Sequence, residues 1–275
     1  MERKVEKTMK NGLLAQCRNG LGLSLIFVCT GIFFISCGDW LDNDSTPYYS
    51  RYAVVNKQDA KVSFLTDGGL TLYTDSKSAA VTGLENNQRV IVDFIVREEL
   101  EDTEYKIGLY SIYKVLTKDA LVLREAISDS LGRDPVEVNR VWIRHGYLNV
   151  DFTFWGGEPG LKHMVNLAVD TSATSRDADC LVEFRHNAFK DPYVRHCRGV
   201  VAFPLKSILD HVKLPEERPD EITLKLKIKY YGLEGSEHFL PLDWKIASGR
   251  TVTLESEEVG PGGDDENYAD TEIIQ

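Results

Sequence analysis

Cys37 is the residue of this chain whose surroundings most clearly predict a chemical reaction. It follows an uncharged apolar run of sixteen residues, from Leu21 to Ser36. Basic residues precede the run, at Arg3, Lys4, Lys7, Lys10 and Arg18. A basic leader of this kind stays in the cytoplasm while the apolar part enters the membrane. We therefore expect residues 1–36 to be a lipoprotein signal peptide, with cleavage before Cys37 and acylation of its thiol and amino group.

The length of the apolar run favours a removable signal over a permanent membrane span. Sixteen helical residues cover roughly 24 Å, which is short of the roughly 30 Å hydrocarbon core of a bilayer. The sequence therefore predicts an outer membrane lipoprotein that contacts the membrane through the lipid on Cys37. Asp39, Asp42 and Asp44 follow this cysteine closely. Acidic residues at this place resemble the export signals of surface lipoproteins, so the cell surface and the periplasmic face both stay open.

Two histidines, His186 and His196, lie on either side of a segment rich in turn residues. If the flanking strands form a hairpin with its turn near Asp191, the two imidazoles face each other and could share a metal ion. The neighbouring Arg185 and Arg195 would repel a cation. We therefore predict no metal and no cofactor, and we keep both histidines as candidate binding residues.

The same hairpin register separates Cys180 from Cys197 by roughly 16 Å along the strands, which is too far for a disulfide. A slipped register would bring them together, so the sequence leaves their bonding open. His163 would share one strand face with Val165 and Leu167. This pattern predicts a buried histidine with hydrogen-bond partners rather than a metal ligand.

Aromatic residues provide a second set of candidate binding residues. Tyr48 and Tyr49 lie where the acidic segment behind Cys37 ends, and Trp155 precedes Gly156 and Gly157. Aromatic rings beside a flexible rim are a surface on which sugars or peptides stack. Packing in a core or between domains is the more frequent use of such residues.

Charge and missing motifs exclude several classes of function. The chain has a formal charge of −11, and removal of residues 1–36, with five basic and two acidic residues, makes it −14. Phosphate backbones would be repelled, so we expect no nucleic acid partner. No phosphate loop, Gly-x-Ser-x-Gly elbow, His-Glu-x-x-His or Cys-x-x-Cys motif occurs. We therefore expect a protein that is not an enzyme.

The elements that must position these residues are short strands. Segments rich in Val, Ile, Tyr and Phe, broken by turn residues, run from Tyr52 to Leu123 and predict a small β-barrel. Apolar residues occupy both faces of Arg89 to Val96, as in a strand covered on both sides. Residues 37–50 are expected to be a flexible tether and residues 51–132 an OB-like β-barrel domain.

Apolar and polar residues alternate more regularly in the second half of the chain. Apolar residues alternate with polar ones from Tyr147 to Phe154 and from Ile222 to Lys229, which predicts strands with one wet face and hence an antiparallel β-sandwich. Gly132 to Pro135 interrupts the pattern, so residues 135–250 are expected to be a separately folding β-sandwich domain. Leu205 to Val212 is the one predicted helix. Residues 251–275, with eight acidic and no basic residues, are expected to be a disordered acidic tail.

Several of these motifs resemble a known family. The resemblance rests on Cys37 with acidic residues behind it, on Arg89 to Phe94, on Tyr147 to Val150 and on Lys162 to Leu167. Together they resemble the NigD-like lipoproteins of Gram-negative gut and oral anaerobes. The resemblance implies an N-terminal OB-type barrel and a C-terminal β-sandwich. It also implies an immunity role, because the family name comes from a bacteriocin locus, but it supplies no catalytic residues.

The sequence thus predicts an all-β, lipid-anchored envelope protein, with a small OB-type barrel followed by an antiparallel β-sandwich, that acts by binding. Two partner classes stay open. The acidic surface would attract a basic toxin or another basic protein and speed their encounter. Alternatively, the protein binds a carbohydrate or a peptide at the cell surface, as OB folds do with their loop face.

Overall fold

The computed structural model describes residues 47–58, 61–74, 81–157, 160–172, 178–212 and 221–247. The predicted signal peptide, Cys37, most of the tether and the acidic tail lie outside the described residues. Within those residues, no helix is long and apolar enough to cross a membrane.

Strands make up most of the described chain. In order, the elements are β1 Tyr48–Gln58, β2 Lys61–Thr66, β3 Thr71–Tyr73, β4 Arg89–Glu101, β5 Glu104–Lys114, β6 Leu116–Thr117, β7 Leu121–Val122, α1 Glu125–Ser128, β8 Val136–Arg144, β9 Tyr147–Gly156, β10 Met164–Asp170, β11 Cys180–Asn187, β12 Arg195–Pro204, α2 Leu205–Leu209, β13 Glu221–Tyr231 and β14 Glu237–Ala247. The predicted helix from Leu205 to Val212 contains α2, whereas α1 was not predicted.

The first five strands close into a barrel in the order β1-β2-β3-β5-β4, the five-stranded architecture of an OB fold. Side chains such as Val55, Phe64, Leu72 and Val92 fill its interior. β4 is buried on both faces from Arg89 to Ile95, as the sequence predicted. β1 begins at Tyr48, which is three residues inside the segment predicted to be a flexible tether.

Two stacked sheets form the second half, in the orders β14-β13-β11-β10-β7 and β6-β12-β9-β8. Most neighbouring strands are antiparallel, but β7, β6 and β13 each pair in parallel with one neighbour. Leu148 and Phe152 of one sheet meet Phe184 and Trp244 of the other in the core. The fold class predicted from the sequence, an OB-type barrel followed by a β-sandwich, is confirmed.

The last strand of the range predicted to form the barrel, at Ala120 to Leu123, belongs to the sandwich instead. Its central residues form β7, which pairs with β10 in the sandwich, and β6 pairs with β12. Lys118 strengthens this attachment, because its Nζ donates to the carbonyl of Val165 at 2.7 Å. The chain therefore leaves the barrel after Lys114. The separate folding of residues 135–250 stays a prediction.

The outer face of β9 is not wet at Asn149 and Asp151, contrary to the sequence prediction. Asn149 and Asp151 point away from the sandwich core but are fully buried. The barrel covers Asn149, and Asp151 accepts hydrogen bonds from Arg198 and Asn139. Alternation along one strand indicates which residues share a face, but it cannot indicate that another domain covers that face. β13 does have the predicted exposed face, at Thr223 and Lys225.

A buried polar cluster, here called the seam, joins the barrel to the four-stranded sheet. The carboxylate of Asp67 accepts two hydrogen bonds from the fully buried Arg89 and one from Trp142 Nε1 at 2.9 Å. Arg89 Nε donates to Asn149 Oδ1 at 2.9 Å, and Arg144 Nε donates to the Asp67 carbonyl at 2.6 Å. Around it lies an apolar layer formed by Tyr52, Ile91, Val115, Trp142, Val200 and Ala202. The seam therefore fixes one face of the barrel against the sandwich.

Candidate functional site

The hairpin predicted around Asp191 does not form. β11 lies in the five-stranded sheet, whereas β12 lies in the four-stranded sheet. His186 is therefore opposite Val165, and His196 is opposite Trp155. The chain between the two strands crosses from one sheet to the other. Residue spacing alone cannot distinguish such a crossing from a hairpin turn. The prediction that His186 faces His196 was wrong.

The same crossing changes the argument about the two cysteines. Cys180 belongs to β11 and Cys197 to β12, so the register that separated them along one hairpin does not exist. Both are free thiols. Burial, with a smaller contribution from the Asp179 carboxylate, raises the pKa of Cys180 to about 11. This thiol therefore stays protonated at neutral pH, in a form that is a poor nucleophile.

Three side chains at the end of the sandwich form what we call the histidine network: His163, His186 and Asp191. His163 Nε2 donates to Asp191 Oδ2 at 2.9 Å, and His163 Nδ1 lies 2.9 Å from His186 Nε2. The backbone N–H of Gly157 donates to the same Asp191 oxygen at 2.8 Å. Asp191, in the segment that crosses between the sheets, is thus held from two directions.

Burial determines the electrostatics of the histidine network. The His163 and Asp191 side chains are almost fully buried, and Phe154 packs against both imidazoles at centroid distances of 4.8 and 5.3 Å. Burial, with the neighbouring His163, lowers the pKa of His186 to about 4, although the Asp134 carboxylate opposes this shift. His186 is therefore neutral at neutral pH. The prediction of a buried, hydrogen-bonded His163 is confirmed.

The histidine network contains residue types that can bind metals, but its side chains are hydrogen-bonded to one another instead. Both ring nitrogens of His163 already lie within hydrogen-bond distance of a neighbour. Among the residues that the structure describes, no group of three or more His, Cys, Asp or Glu side chains could hold a metal ion. The arrangement instead anchors the segment that contains Asp191.

Four large apolar side chains are exposed around this anchor, and we call them the loop patch: Leu161, Phe189, Tyr193 and Val194. Their exposed fractions are 40, 56, 57 and 67 %. Three of them belong to the crossing segment, and Leu161 lies two residues before His163. Exposed large apolar side chains that cluster in this way are typical of interaction surfaces, whereas single ones need no explanation.

Local hydrogen bonds hold the crossing segment in an unusual backbone conformation. Phe189 and Lys190 have φ angles of 51° and 68°, in the left-handed region that disfavours non-glycine residues. The N–H of Phe189 donates to Asn187 Oδ1 at 2.9 Å, and the N–H of Asp191 donates to the Ala188 carbonyl at 2.9 Å. Such strain persists where surrounding contacts enforce it, and it concentrates at functional positions.

Positive charge flanks the loop patch. Lys162 and Lys190 are both exposed, and each precedes a member of the hydrogen-bonded pair His163 and Asp191. This local charge is opposite in sign to the net charge of the chain. An acidic group of a partner could therefore pair with either lysine at the edge of the apolar contact.

The predicted binding residues belong to three parts of the fold: the start of β1, the outer face of the four-stranded sheet and the histidine network. Tyr48 is 54 % exposed at the start of β1, with its ring centroid 5.3 Å from that of Tyr110. Tyr49 points the other way and stacks on Phe94 inside the barrel at 5.6 Å. Trp155 and His196 form an edge-on pair at 3.9 Å on the outer face of the four-stranded sheet. His186 is buried in the histidine network.

The sequence reasoning missed the loop patch, although its signal is visible. Phe189, Tyr193 and Val194 are interleaved with turn residues in the segment Asn187-Ala188-Phe189-Lys190-Asp191-Pro192-Tyr193-Val194. Large apolar residues within a predicted loop have no strand face to bury them, so they are candidates for exposure. The hairpin prediction uses this segment only as a turn between two histidines.

The fold defines a two-domain, all-β protein in which an OB-type barrel precedes a β-sandwich. The NigD-like N-terminal OB domain matches residues 52–115, and the NigD-like C-terminal beta sandwich domain matches residues 120–239. The chain therefore belongs to the NigD-like family. A comparison with curated proteins finds no match.

Solved structures with the same fold come from species of Parabacteroides and Bacteroides. A candidate toxin-related protein from Parabacteroides distasonis ATCC 8503 is 26 % identical, with a TM-score of 0.54 over 72 % of this chain and 93 % of that one. A NigD-like immunity protein from Bacteroides caccae ATCC 43185 is 21 % identical, with a TM-score of 0.51 over 71 % and 92 %. A candidate lipoprotein from Bacteroides fragilis NCTC 9343 is 12 % identical, with a TM-score of 0.52 over 74 % and 99 %. The last two likenesses support the fold alone.

Proposed function

We propose that this protein is a lipid-anchored protein of the bacterial envelope that acts by binding a protein partner through the loop patch, and not by catalysis. The observation that carries the proposal is the exposure of Phe189, Tyr193 and Val194 on a segment anchored by buried side chains. Aromatic residues on a fixed segment provide contact area with little loss of conformational entropy on binding.

The comparisons support a protein partner. The protein from Parabacteroides distasonis, at 26 % identity, is described as toxin related. The resemblance to the NigD-like family implies an immunity role, which would require recognition of a toxin. The formal charge of −14 after removal of residues 1–36 favours encounter with a basic partner. At contact, Lys162 and Lys190 favour carboxylates beside an apolar anchor. A basic protein with one or two acidic groups at its binding site satisfies both conditions.

Site-specific crosslinking tests the proposal. A photoreactive phenylalanine analogue replaces Tyr193 in the full-length protein in its native envelope, and in a control it replaces Phe239, which is 43 % exposed on β14. We expect one discrete crosslinked protein from position 193 and none from position 239. Tyr193 crosslinks that match those from Phe239, or a complete lack of crosslinks, would contradict the proposal.

The anchor is tested separately. Acylation at Cys37 predicts that Cys37→Ala releases the protein from the membrane fraction, whereas Cys197→Ala leaves it there. Protease treatment of intact cells then distinguishes the outer surface from the periplasmic face of the outer membrane, because a periplasmic protein is cleaved only after that membrane is broken. A Cys37→Ala protein that stays in the membrane fraction would refute the lipid anchor.

A further inference from the structure

The outer face of the four-stranded sheet extends beyond the region that the barrel covers. Near the seam, Trp142 and Val200 are buried under the barrel. β9 and β12 continue past this contact, and their register places Arg198 opposite Thr153 and His196 opposite Trp155. These outward-facing residues are exposed or half-buried.

The barrel presents a matching wall. Tyr52, Ser50 and Tyr48 alternate along β1, so they share its outer face. Tyr52 packs on Trp142, with ring centroids 5.1 Å apart. The register of β1 with β4 then places Asp93 beside Ser50 and Ile95 beside Tyr48.

Two sets of contacts determine which ends of these walls correspond. Arg89, at one end of the barrel wall, bonds to Asn149. Tyr52 lies opposite Ile91, which is two residues further along β4 than Arg89. Tyr52 contacts Arg140, which lies opposite Asp151, two residues further along β9 than Asn149. The two walls therefore run in the same direction from the seam. Tyr48 of the barrel and Trp155 of the sheet consequently lie toward the same end.

Burial decreases in this direction along β1 and along the sheet. On β1, Tyr52 is buried, Ser50 is half-buried and Tyr48 is exposed. On the sheet, Trp142 is buried, Trp155 is half-buried and His196 is exposed. Asp93 and Ile95 of β4 stay buried, so the two walls separate on the side of β1. We call the region between β1 and the sheet the seam cleft, lined by Tyr48, Ser50, Thr153, Trp155 and Arg198.

The lining combines aromatic faces with hydrogen-bonding groups. Tyr48 lies on one wall, and the Trp155–His196 pair lies on the other. Between them lie the half-buried Ser50 and the Thr153 hydroxyl, which accepts a hydrogen bond from Asn139 at 3.0 Å. Arg198 neutralises Asp151 beneath them. A surface with rings on both sides and polar groups between them suits pyranose rings, whose apolar faces stack while their hydroxyls form hydrogen bonds.

We propose that the seam cleft binds a neutral oligosaccharide, independently of the protein partner at the loop patch. Stacking on aromatic rings and hydrogen bonds to side chains are sufficient to recognise a sugar, whereas peptides commonly bind by pairing with an exposed strand edge.

Calorimetric titration of the full chain with five neutral hexasaccharides tests the proposal: cellohexaose, maltohexaose, xylohexaose, mannohexaose and chitohexaose. We expect saturable binding of at least one, with affinity at least 10-fold weaker in Trp155→Ala and in Tyr48→Ala. Phe189→Asn, in the loop patch, should keep the wild-type affinity. Urea midpoints of the three variants verify that each is folded.

Lack of binding by all five sugars would overturn the proposal, as would affinity unchanged by both Trp155→Ala and Tyr48→Ala. Sugar binding and crosslinking from Tyr193 can fail separately, since the two experiments use different surfaces and different probes. A sugar titration that fails beside a positive crosslink removes the seam cleft from the function and leaves the loop patch in place.

Discussion

The seam and the histidine network are both buried polar clusters, but they differ in what they hold and in how they are charged. In the seam, Arg89 is permanently positive and is matched by the carboxylate of Asp67 and the amide of Asn149. In the histidine network, two imidazoles share one hydrogen bond, and His186 is neutral at neutral pH. The seam joins two domains, whereas the histidine network fixes a surface loop.

Buried polar groups can therefore stabilise one protein at two scales, between two domains and within a single surface loop. A buried guanidinium requires a fixed counter-charge, so loss of one partner affects the whole interface between barrel and sandwich. A buried neutral imidazole such as that of His186 requires hydrogen bonds, and its charge state changes within the pH range in which proteins are studied. We therefore expect the seam to govern global stability and the histidine network to govern acid sensitivity and the loop patch.

The largest expected effect comes from removing the barrel and thereby the seam. A fragment of residues 116–250 retains β6 and β7, which pair with both sheets, whereas a fragment of residues 135–250 lacks them. We expect a cooperative thermal melt from the longer fragment, at a lower temperature than the whole protein, and none from the shorter one. A melt of the shorter fragment equal to that of the longer one would support the boundary at Gly132 to Pro135 instead.

Asp67→Ala breaks the seam within the intact chain. It leaves the fully buried Arg89 without its carboxylate and Trp142 Nε1 without its acceptor. Removal of one member of a buried ion pair typically destabilises a protein by about 3–5 kcal/mol. Urea denaturation should reveal a loss of this size.

Asp210→Ala is the matched control for the seam variant. Asp210 pairs with Lys206 at 2.9 Å, but both side chains are exposed. Exposed pairs of this spacing are worth roughly 0.5 kcal/mol or less. If Asp67→Ala were as mild as Asp210→Ala, the seam would not join the domains in the way that we infer.

Periodicity in the sequence was sufficient to predict the fold class, and particular residues explain where it failed. Alternation identified β9 and β13 correctly, because the side-chain period of a strand is local. It could not reveal that the barrel covers Asn149, because domain packing is not encoded within a single strand. The sequence suggests Trp155 as an aromatic binding residue and His196 as the residue that faces His186, but in the structure these two pair with each other. His186 was selected for a facing partner that lies in the other sheet.

The histidine network predicts that the protein loses stability in acid. The pKa of His186 is about 4 in the folded chain, below its ordinary value of 6.5, because burial disfavours the imidazolium. Between these values the unfolded chain binds the proton more readily. The stability contribution is therefore fully present above pH 6.5 and is lost as the pH falls toward 4, by at most roughly 3 kcal/mol.

Urea midpoints at pH 7, 5 and 4 measure this loss in the wild type, His186→Gln and Asp67→Ala. His186→Gln should show a shallower decrease of stability over this interval, because the titrating group is absent. Asp67→Ala should be less stable throughout, and its decrease should be at least as steep as that of the wild type. Asp67 opposes the lowering of the pKa of the nearby His145 by burial, so its loss adds acid sensitivity. An unchanged decrease in His186→Gln would assign the acid sensitivity to other groups.

Phe189→Asn has the smallest expected effect on stability and the clearest bearing on function. Phe189 is exposed and has a φ angle of 51°. Its ring therefore contributes little to the stability of the folded state, and its backbone conformation is strained. Asparagine tolerates the left-handed region better, so we expect the free energy of unfolding to stay the same or to rise by up to about 1 kcal/mol. Crosslinking from Tyr193 should nevertheless decrease, because the apolar contact beside it is lost.

A protein that is destabilised by more than 1 kcal/mol would indicate that Phe189 packs within the fold. Unchanged stability with unchanged crosslinking would remove it from the interface. Higher stability together with less crosslinking would mean that Phe189 serves partner binding, although it lowers the stability of the segment that the histidine network anchors.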